Sequence, residues 1–228
     1  MNMTEMPALS LTYQMQSPTK STDAPPLVLL LHGQRSNEAD LLALAPGLDP
    51  RFLVLSVRAP FTMGPDSYAW YRVTFTANGP TYVPEEVESS RVRLIQFIGE
   101  AVAAFGADAR RVYLMGFSQG AIMSEAVSLS RPDLVAGALL MSGRTLVEVA
   151  AQLAAPDALA GLPFLVIHGT QDTVLPIHYG QETRDLLETL PVSLTYREYP
   201  IPHTISVESL ADATAWLTAQ LDSPRSHG

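Results

Sequence analysis

The chain has 228 residues, a formal charge of −9 and 47% hydrophobic side chains, enough for one substantial core beneath an acidic surface that attracts neither nucleic acid nor anionic lipid. It contains no cysteine, which excludes a disulfide framework, a thiolate metal site and a cysteine nucleophile. No basic-then-apolar leader opens it, and its longest aliphatic run, Leu27 to Leu31, is too short to span a bilayer, so a cytoplasmic protein without an integral membrane segment is expected.

Leu9 to Gln16 alternates apolar and polar residues, the period of a half-buried edge strand. Ser17 to Pro26 reads as a loop, Leu27 to Leu31 as a buried strand closed by His32-Gly33, and Asp40 to Ala45 as a short helix. Phe52 to Val57 is a third strand. Phe61 to Pro84, with Gly, Pro and Asn scattered among aromatics, is expected to be a long irregular loop, and such loops are usually functional. Glu85 to Phe105 is the longest helical pattern, with Val87, Leu94, Ile98 and Phe105 on one face.

Val112 to Phe117 is an apolar strand leading into a helix over Gln119 to Ser130. Ala136 to Met141 is a strand closed by Ser142-Gly143, and Thr145 to Leu153 looks helical. Phe164 to Ile167 is a strand closed by His168-Gly169-Thr170-Gln171-Asp172. A helix over Ile177 to Leu190, a strand over Ser193 to Tyr199 and a helix over Ser206 to Leu221 complete the chain. Strands and helices alternate through short connections, which implies βαβ units. The expected fold is therefore a single α/β domain over 1–228, doubly wound around a mainly parallel sheet with helices on both faces. Residues 1–8 and 222–228 are expected to be frayed tails.

Gly116-Phe117-Ser118-Gln119-Gly120 matches G-x-S-x-G between a strand and a helix, the setting of a nucleophile elbow. A serine hydroxyl needs a base within hydrogen-bond reach, and histidine needs a carboxylate to fix its tautomer. On this scaffold the partners follow in the order serine, acid, histidine, after the carboxyl ends of strands. Asp172 meets that condition. Asp157 and Asp185 lie in a Pro/Ala stretch and inside a helix, as surface residues do. Of five histidines, His203 stands between the last strand and the last helix, where a base belongs. His178 and His227 read as surface and tail, and His32 and His168 as loop-orienting groups. Oxyanion donors are expected from the backbone N–H groups of Gln119 and of Gln34 in the loop after an early strand.

With Leu31-His32-Gly33, Gly116-Phe117-Ser118-Gln119-Gly120-Ala121, Ser142-Gly143, Gly169-Thr170-Gln171-Asp172 and His203 in place, the chain resembles the phospholipase/carboxylesterase family, from about Pro25 to Leu221. The resemblance implies an α/β-hydrolase fold without a large cap domain and a serine esterase with no cofactor; no metal is expected either, since the sequence holds no H-E-x-x-H or comparable ligand cluster. It implies Ser118 as nucleophile, Asp172 as acid, His203 as base, and Gln34 and Gln119 as oxyanion donors. Trp70 looks like the family's aromatic residue near the acyl site. Where the family usually carries glycine after the His-Gly pair, this chain reads Gln34-Arg35-Ser36-Asn37. Arg35 is thereby a candidate pocket group for anionic substrates, with a solvated loop residue as its alternative. Pro202 replaces a frequent glycine before the histidine and should stiffen the loop.

The expected partner is a small-molecule ester of short to medium acyl chain, with no nucleic acid, and a homodimer is left open. An acyl thioesterase or lysophospholipase would use the same machinery. A catalytically silent binding protein is the alternative of another class.

Overall fold

The computed structural model describes residues 7–20, 22–76 and 79–223. In chain order the strands are β1 (Tyr13–Gln16), β2 (Leu27–Leu31), β3 (Leu53–Val57), β4 (Phe61–Gly64), β5 (Ser67–Ala69), β6 (Val73–Thr76), β7 (Gly79–Tyr82), β8 (Val112–Phe117), β9 (Gly137–Met141), β10 (Pro163–Gly169) and β11 (Ser193–Tyr199). The helices are α1 (Glu38–Leu42), α2 (Pro84–Phe105), α3 (Gln119–Ser130), α4 (Val147–Ala150), α5 (Pro156–Leu159), α6 (His178–Glu188) and α7 (Val207–Asp222).

Seven strands form one sheet in the order β1-β3-β2-β8-β9-β10-β11, with β1 antiparallel at one edge and all other pairs parallel. Successive side chains of a strand point to opposite faces, and the core divides accordingly. Leu27, Leu29 and Leu31 join Leu114, Leu140 and Val166 beneath α2, α3 and α6. Val28 and Leu30 join Met115, Leu139 and Ile167 beneath α1 and α7. Strands covered on both faces read as unbroken apolar runs, which is why Leu27–Leu31 is five buried leucines or valines in a row. Truncating one such leucine to alanine costs about 2–5 kcal/mol.

The doubly wound, mainly parallel sheet expected from the alternating pattern, and the α/β-hydrolase fold implied by the resemblance, are observed, and two segments differ in detail. Phe61 to Pro84 is not irregular: β4 pairs antiparallel with β5, and β6 with β7. Strands of three or four residues are too short for their alternation to register among Gly, Pro and Asn. The helix expected over Thr145 to Leu153 is only the four residues of α4. Its N-terminus receives no side-chain cap, and α5 begins afresh with Pro156 in its first turn.

The tails expected over 1–8 and 222–228 lie mostly outside the described residues. Asp222 itself closes α7 and accepts from Arg51 Nη1 at 2.7 Å.

Because β2, β8, β9, β10 and β11 are parallel neighbours, their carboxyl ends line one rim of the sheet. Each is followed there by a turn: His32-Gly33-Gln34, Ser118, Ser142-Gly143-Arg144, Thr170-Gln171-Asp172 and Ile201-Pro202-His203.

Candidate active site

Ser118 sits between β8 and α3 with φ 54° and ψ −119°, a left-handed conformation that non-glycine residues rarely adopt and that functional sites tend to hold. Two glycines make the turn possible. A Cβ on Gly120 would lie 1.8 Å from the Leu31 carbonyl oxygen, and one on Gly116 would lie 2.2 Å from that of Gly120. The helix therefore approaches strands β2 and β8 at a distance only glycine allows. Ser118 is also tied down by its own amide, which donates to Met141 O on β9 at 2.9 Å.

His203 bridges the other two groups. Its Nδ1 lies 2.6 Å from Asp172 Oδ2 and its Nε2 lies 3.0 Å from Ser118 Oγ. A carboxylate oxygen can only accept, so Nδ1 carries the proton and the Nε2 lone pair faces the serine hydroxyl. Asp172 is buried, and its other oxygen, Oδ1, accepts the amides of Val174 and Leu175 at 2.9 and 2.8 Å. Both carboxylate oxygens are thus committed, and the side chain has one orientation. Phe117 lies against the His203 ring with centroids 4.9 Å apart.

The loop after β2 runs alongside the serine: a Cβ on Gly33 would be 3.2 Å from Ser118 Cβ. Gln34 and Gln119 both line the cavity that contains Ser118. Neither backbone N–H donates to another described backbone carbonyl, so both remain available as donors, Gln119 as the first residue of a helix whose initial amides have no internal partner.

The Gln119 side chain fixes this arrangement. Its Oε1 accepts the Trp70 amide at 3.1 Å, and its Nε2 donates to Tyr71 O at 2.8 Å. Trp70 Nε1 donates to His32 O at 2.9 Å, and Ser90 Oγ donates to Trp70 O. His32 accepts the Ala59 amide on Nε2 at 3.1 Å and reaches Gly33 O through Nδ1 at 2.7 Å. Burial pulls the His32 imidazole below its ordinary pKa, which keeps it in the neutral form this bonding requires. Trp70 is 0% exposed. It stands in the core behind the loop that follows β2 rather than in the cavity wall.

Arg35 is likewise not among the residues lining that cavity. Its φ is 64°, a left-handed turn where glycine is at ease, and its amide donates to Tyr68 O at 2.7 Å. It closes the loop through its backbone. Glu38, the next charged residue, is buried and paired with Arg58, whose guanidinium holds the carboxyl below the usual range and lies 4.5 Å over the Tyr68 ring.

The cavity has a volume of about 330 Å³, and its wall includes Tyr71, Val73, Ile122, Leu175 and Tyr179 around Ser118. That is at the small end of ligand pockets, apolar with a few polar groups.

Four features carry no sequence motif. Arg144 lines the cavity; its position just past the end of β9 is the available clue. The Gln119 side chain acts as a latch, although the pattern x of G-x-S-x-G leaves that residue free. Glu125, on α3, is buried and accepts from Thr145 Oγ1 at 2.6 Å, and burial pushes its carboxyl up to about 7. His168 is also buried; its Nε2 lies 2.7 Å from Leu175 O, beside the turn that holds Asp172. Among the described residues no group of three or more His, Cys, Asp or Glu side chains could hold a metal ion, and no helix is long and apolar enough to cross a membrane.

The model of the phospholipase/carboxylesterase family matches residues 14–221. The chain is 32% identical over 114 residues to acyl-protein thioesterase 1 of Gibberella zeae, covering 49% of this chain and 48% of that one. It is 25% identical over 157 residues to carboxylesterase SOBER1 of Arabidopsis thaliana, covering 67% and 68%. The match spans about half the length of the first two curated relatives. The crystal structure of esterase PE8 superposes with a TM-score of 0.78 at 27% identity, covering 92% of this chain and 98% of that one.

Proposed function

Since the chain belongs to the phospholipase/carboxylesterase family, we propose that it is a serine hydrolase that cleaves carboxylic esters of short to medium acyl chain through an acyl-enzyme intermediate. The observation that carries this reading is the bridge formed by His203, 3.0 Å from Ser118 Oγ and 2.6 Å from Asp172. Those distances are within the reach that proton transfer requires.

His203 Nε2 takes the hydroxyl proton of Ser118 as Oγ attacks the ester carbonyl carbon. The carbonyl oxygen becomes an oxyanion held by the Gln34 and Gln119 amides, and Asp172 stabilises the imidazolium. Collapse expels the alkoxide, which takes the proton from Nε2, and leaves Ser118 acylated. Water, deprotonated by the same nitrogen, then attacks the acyl carbon; the bond to Ser118 Oγ breaks, Oγ takes the proton back from Nε2, and the acid is released. The positive end of the α3 dipole adds to the field at the oxyanion.

The pocket's modest volume and apolar wall favour a short to medium acyl chain. A thioester leaving group would pass through the same steps, and the acyl-protein thioesterase among the relatives keeps that leaving group in the comparison. The partner this reading implies is a small-molecule ester met in the cytoplasm.

Ser118→Ala is the test. Its purified form should hydrolyse p-nitrophenyl acetate at least about a thousandfold more slowly than the wild type. Undiminished turnover would remove Ser118 from the mechanism.

A further inference from the structure

The arginines of this protein are for the most part neutralised. Those at 51, 58, 72, 91, 111, 131 and 184 each hold a carboxylate at 2.8 Å or closer. Arg144 differs. It is half-buried in the wall of the cavity that contains Ser118. Among the described residues no carboxylate approaches it within 4.0 Å, and its neighbours are aromatic. Its guanidinium carbon stands 5.5 Å from the Tyr179 ring centre and 5.7 Å from that of Tyr82, and one edge of it reaches the Tyr71 hydroxyl oxygen as a donor. Cation–π contacts of this kind hold a guanidinium in place while leaving its N–H fork largely unspent.

Neither of the two acidic groups nearby forms an ion pair with it. Glu148 accepts the Tyr82 hydroxyl at 2.9 Å. Glu125 lines a second, small cavity with Arg144, Gly143 and Thr183. Burial raises its carboxyl to about 7, so the protonated form dominates below that pH, and it accepts from Thr145. A fixed guanidinium with no paired carboxylate among the described residues thus faces the space beside the nucleophile. The chain as a whole carries −9, so its overall field repels anions, and any affinity for them must arise locally.

Resting on the esterase reading above, we infer that Arg144 is a specificity-determining residue. It selects esters or thioesters that carry, besides the scissile carbonyl, an oxyanionic group such as a carboxylate or phosphate. The anion takes the guanidinium fork as a charge-assisted, two-pronged hydrogen bond. The apolar wall of Val73, Ile122 and Leu175 receives the chain that links it to the reacting carbon.

Two matched pairs of esters locate the anion. On the acyl side, mono-p-nitrophenyl adipate is compared with p-nitrophenyl hexanoate. On the leaving-group side, p-(carboxymethyl)phenyl butanoate is compared with p-ethylphenyl butanoate. In the wild type, kcat/KM for the anionic member should exceed that for the neutral one about 10- to 100-fold in one pair, and the pair identifies the side. In Arg144→Gln the ratio should fall at least tenfold, and Arg144→Lys should retain part of it. A ratio taken within one variant is insensitive to the fraction folded. Should Arg144→Gln yield no protein, inhibition of the wild type gives the same reading, with adipate at least tenfold more potent than the neutral adipamide.

Equal rates within both pairs, or a preference that survives Arg144→Gln, would overturn the inference. So would equal inhibition by adipate and adipamide. Hydrolysis of the neutral esters without any preference would defeat the Arg144 assignment alone. Absence of hydrolysis for all four esters would defeat the esterase reading as well.

Discussion

The rim that holds Ser118, Asp172 and His203 and the wall that holds Arg144, Tyr71 and Tyr179 meet at one cavity, yet they are built by different means. On the rim the backbone decides. Glycines at 116 and 120 admit a helix that any side chain would push away, and Ser118 is forced to a positive φ. Asp172 has both carboxylate oxygens committed to named donors. On the wall, single side chains arrive from β6, from the turn after β9, from α3 and from α6, and no short spacing links them. A reaction needs atoms placed to within a fraction of an ångström, whereas a pocket needs only a shape and a charge. The rim is accordingly the part that substitution should damage most, and in the most specific way.

Asp172→Asn should show the largest effect. With Oδ1 still accepting the Val174 and Leu175 amides, the new NH₂ group faces His203 Nδ1 as a donor. The imidazole must then carry its proton on Nε2, toward Ser118, and lose its basic lone pair there. A fall in kcat of about 10³–10⁴-fold with an unchanged melting temperature is expected. A loss below tenfold would mean that this carboxylate does not set the tautomer.

Next is Gly120→Ala. Its methyl group would lie 1.8 Å from the Leu31 carbonyl oxygen, a backbone atom that can yield only by moving β2. Urea denaturation should show a loss of about 3 kcal/mol or more. A loss under about 1 kcal/mol would contradict the close approach, since overpacking on that scale rarely costs so little.

Glu125 offers a comparable effect through pH. Its carboxyl is raised from the ordinary 4.5 to about 7 by burial, so the folded chain keeps a proton that the unfolded chain sheds between those values. This contribution is fully present below pH 4.5 and is lost as pH rises through 7, by on the order of 3 kcal/mol in total. Buried His32 and His168, both lowered below 6.5, act in the opposite sense and lose stability as pH falls below that value. Chemical denaturation of wild type and Glu125→Gln from pH 4.5 to 7.5 separates the two. The variant should gain on the wild type as pH rises, and parallel curves would show that Glu125 ionises freely in the fold.

The smallest effect is expected at the latch. Gln119→Ala leaves the Trp70 amide and the Tyr71 carbonyl without their partner, at a cost of about 1–3 kcal/mol. It should also lower kcat more than it raises KM, because the Gln119 amide loses its fixed position. A change confined to KM would place the side chain on the substrate instead.

The same contrast explains how much the sequence discloses. Unbroken apolar runs at Leu27–Leu31 and Val112–Met115 reveal doubly covered strands, and the alternation of strand and helix reveals the doubly wound sheet. G-x-S-x-G is legible because it encodes a steric requirement at fixed spacing. Asp172 and His203 are legible because chain order and strand ends restrict where they stand. The short strands β4 to β7 are obscured by the Gly, Pro and Asn between them. Arg35 and Arg144 are both arginines just past a strand end, and periodicity cannot say which one enters the cavity. That depends on the Tyr82 and Tyr179 rings, from β7 and α6, that meet Arg144. Trp70 illustrates the converse: an aromatic residue near the site in sequence terms is, in three dimensions, a core residue bonded to His32 O.

The most direct test of the central claim is stoichiometric labelling of the native protein with a fluorophosphonate, followed by peptide mapping and repeated on His203→Ala. One label per chain is expected, carried by Ser118, with labelling at least about a hundredfold slower in the variant because the hydroxyl has lost its base. A label on any other residue, or equal rates in the two proteins, would contradict it.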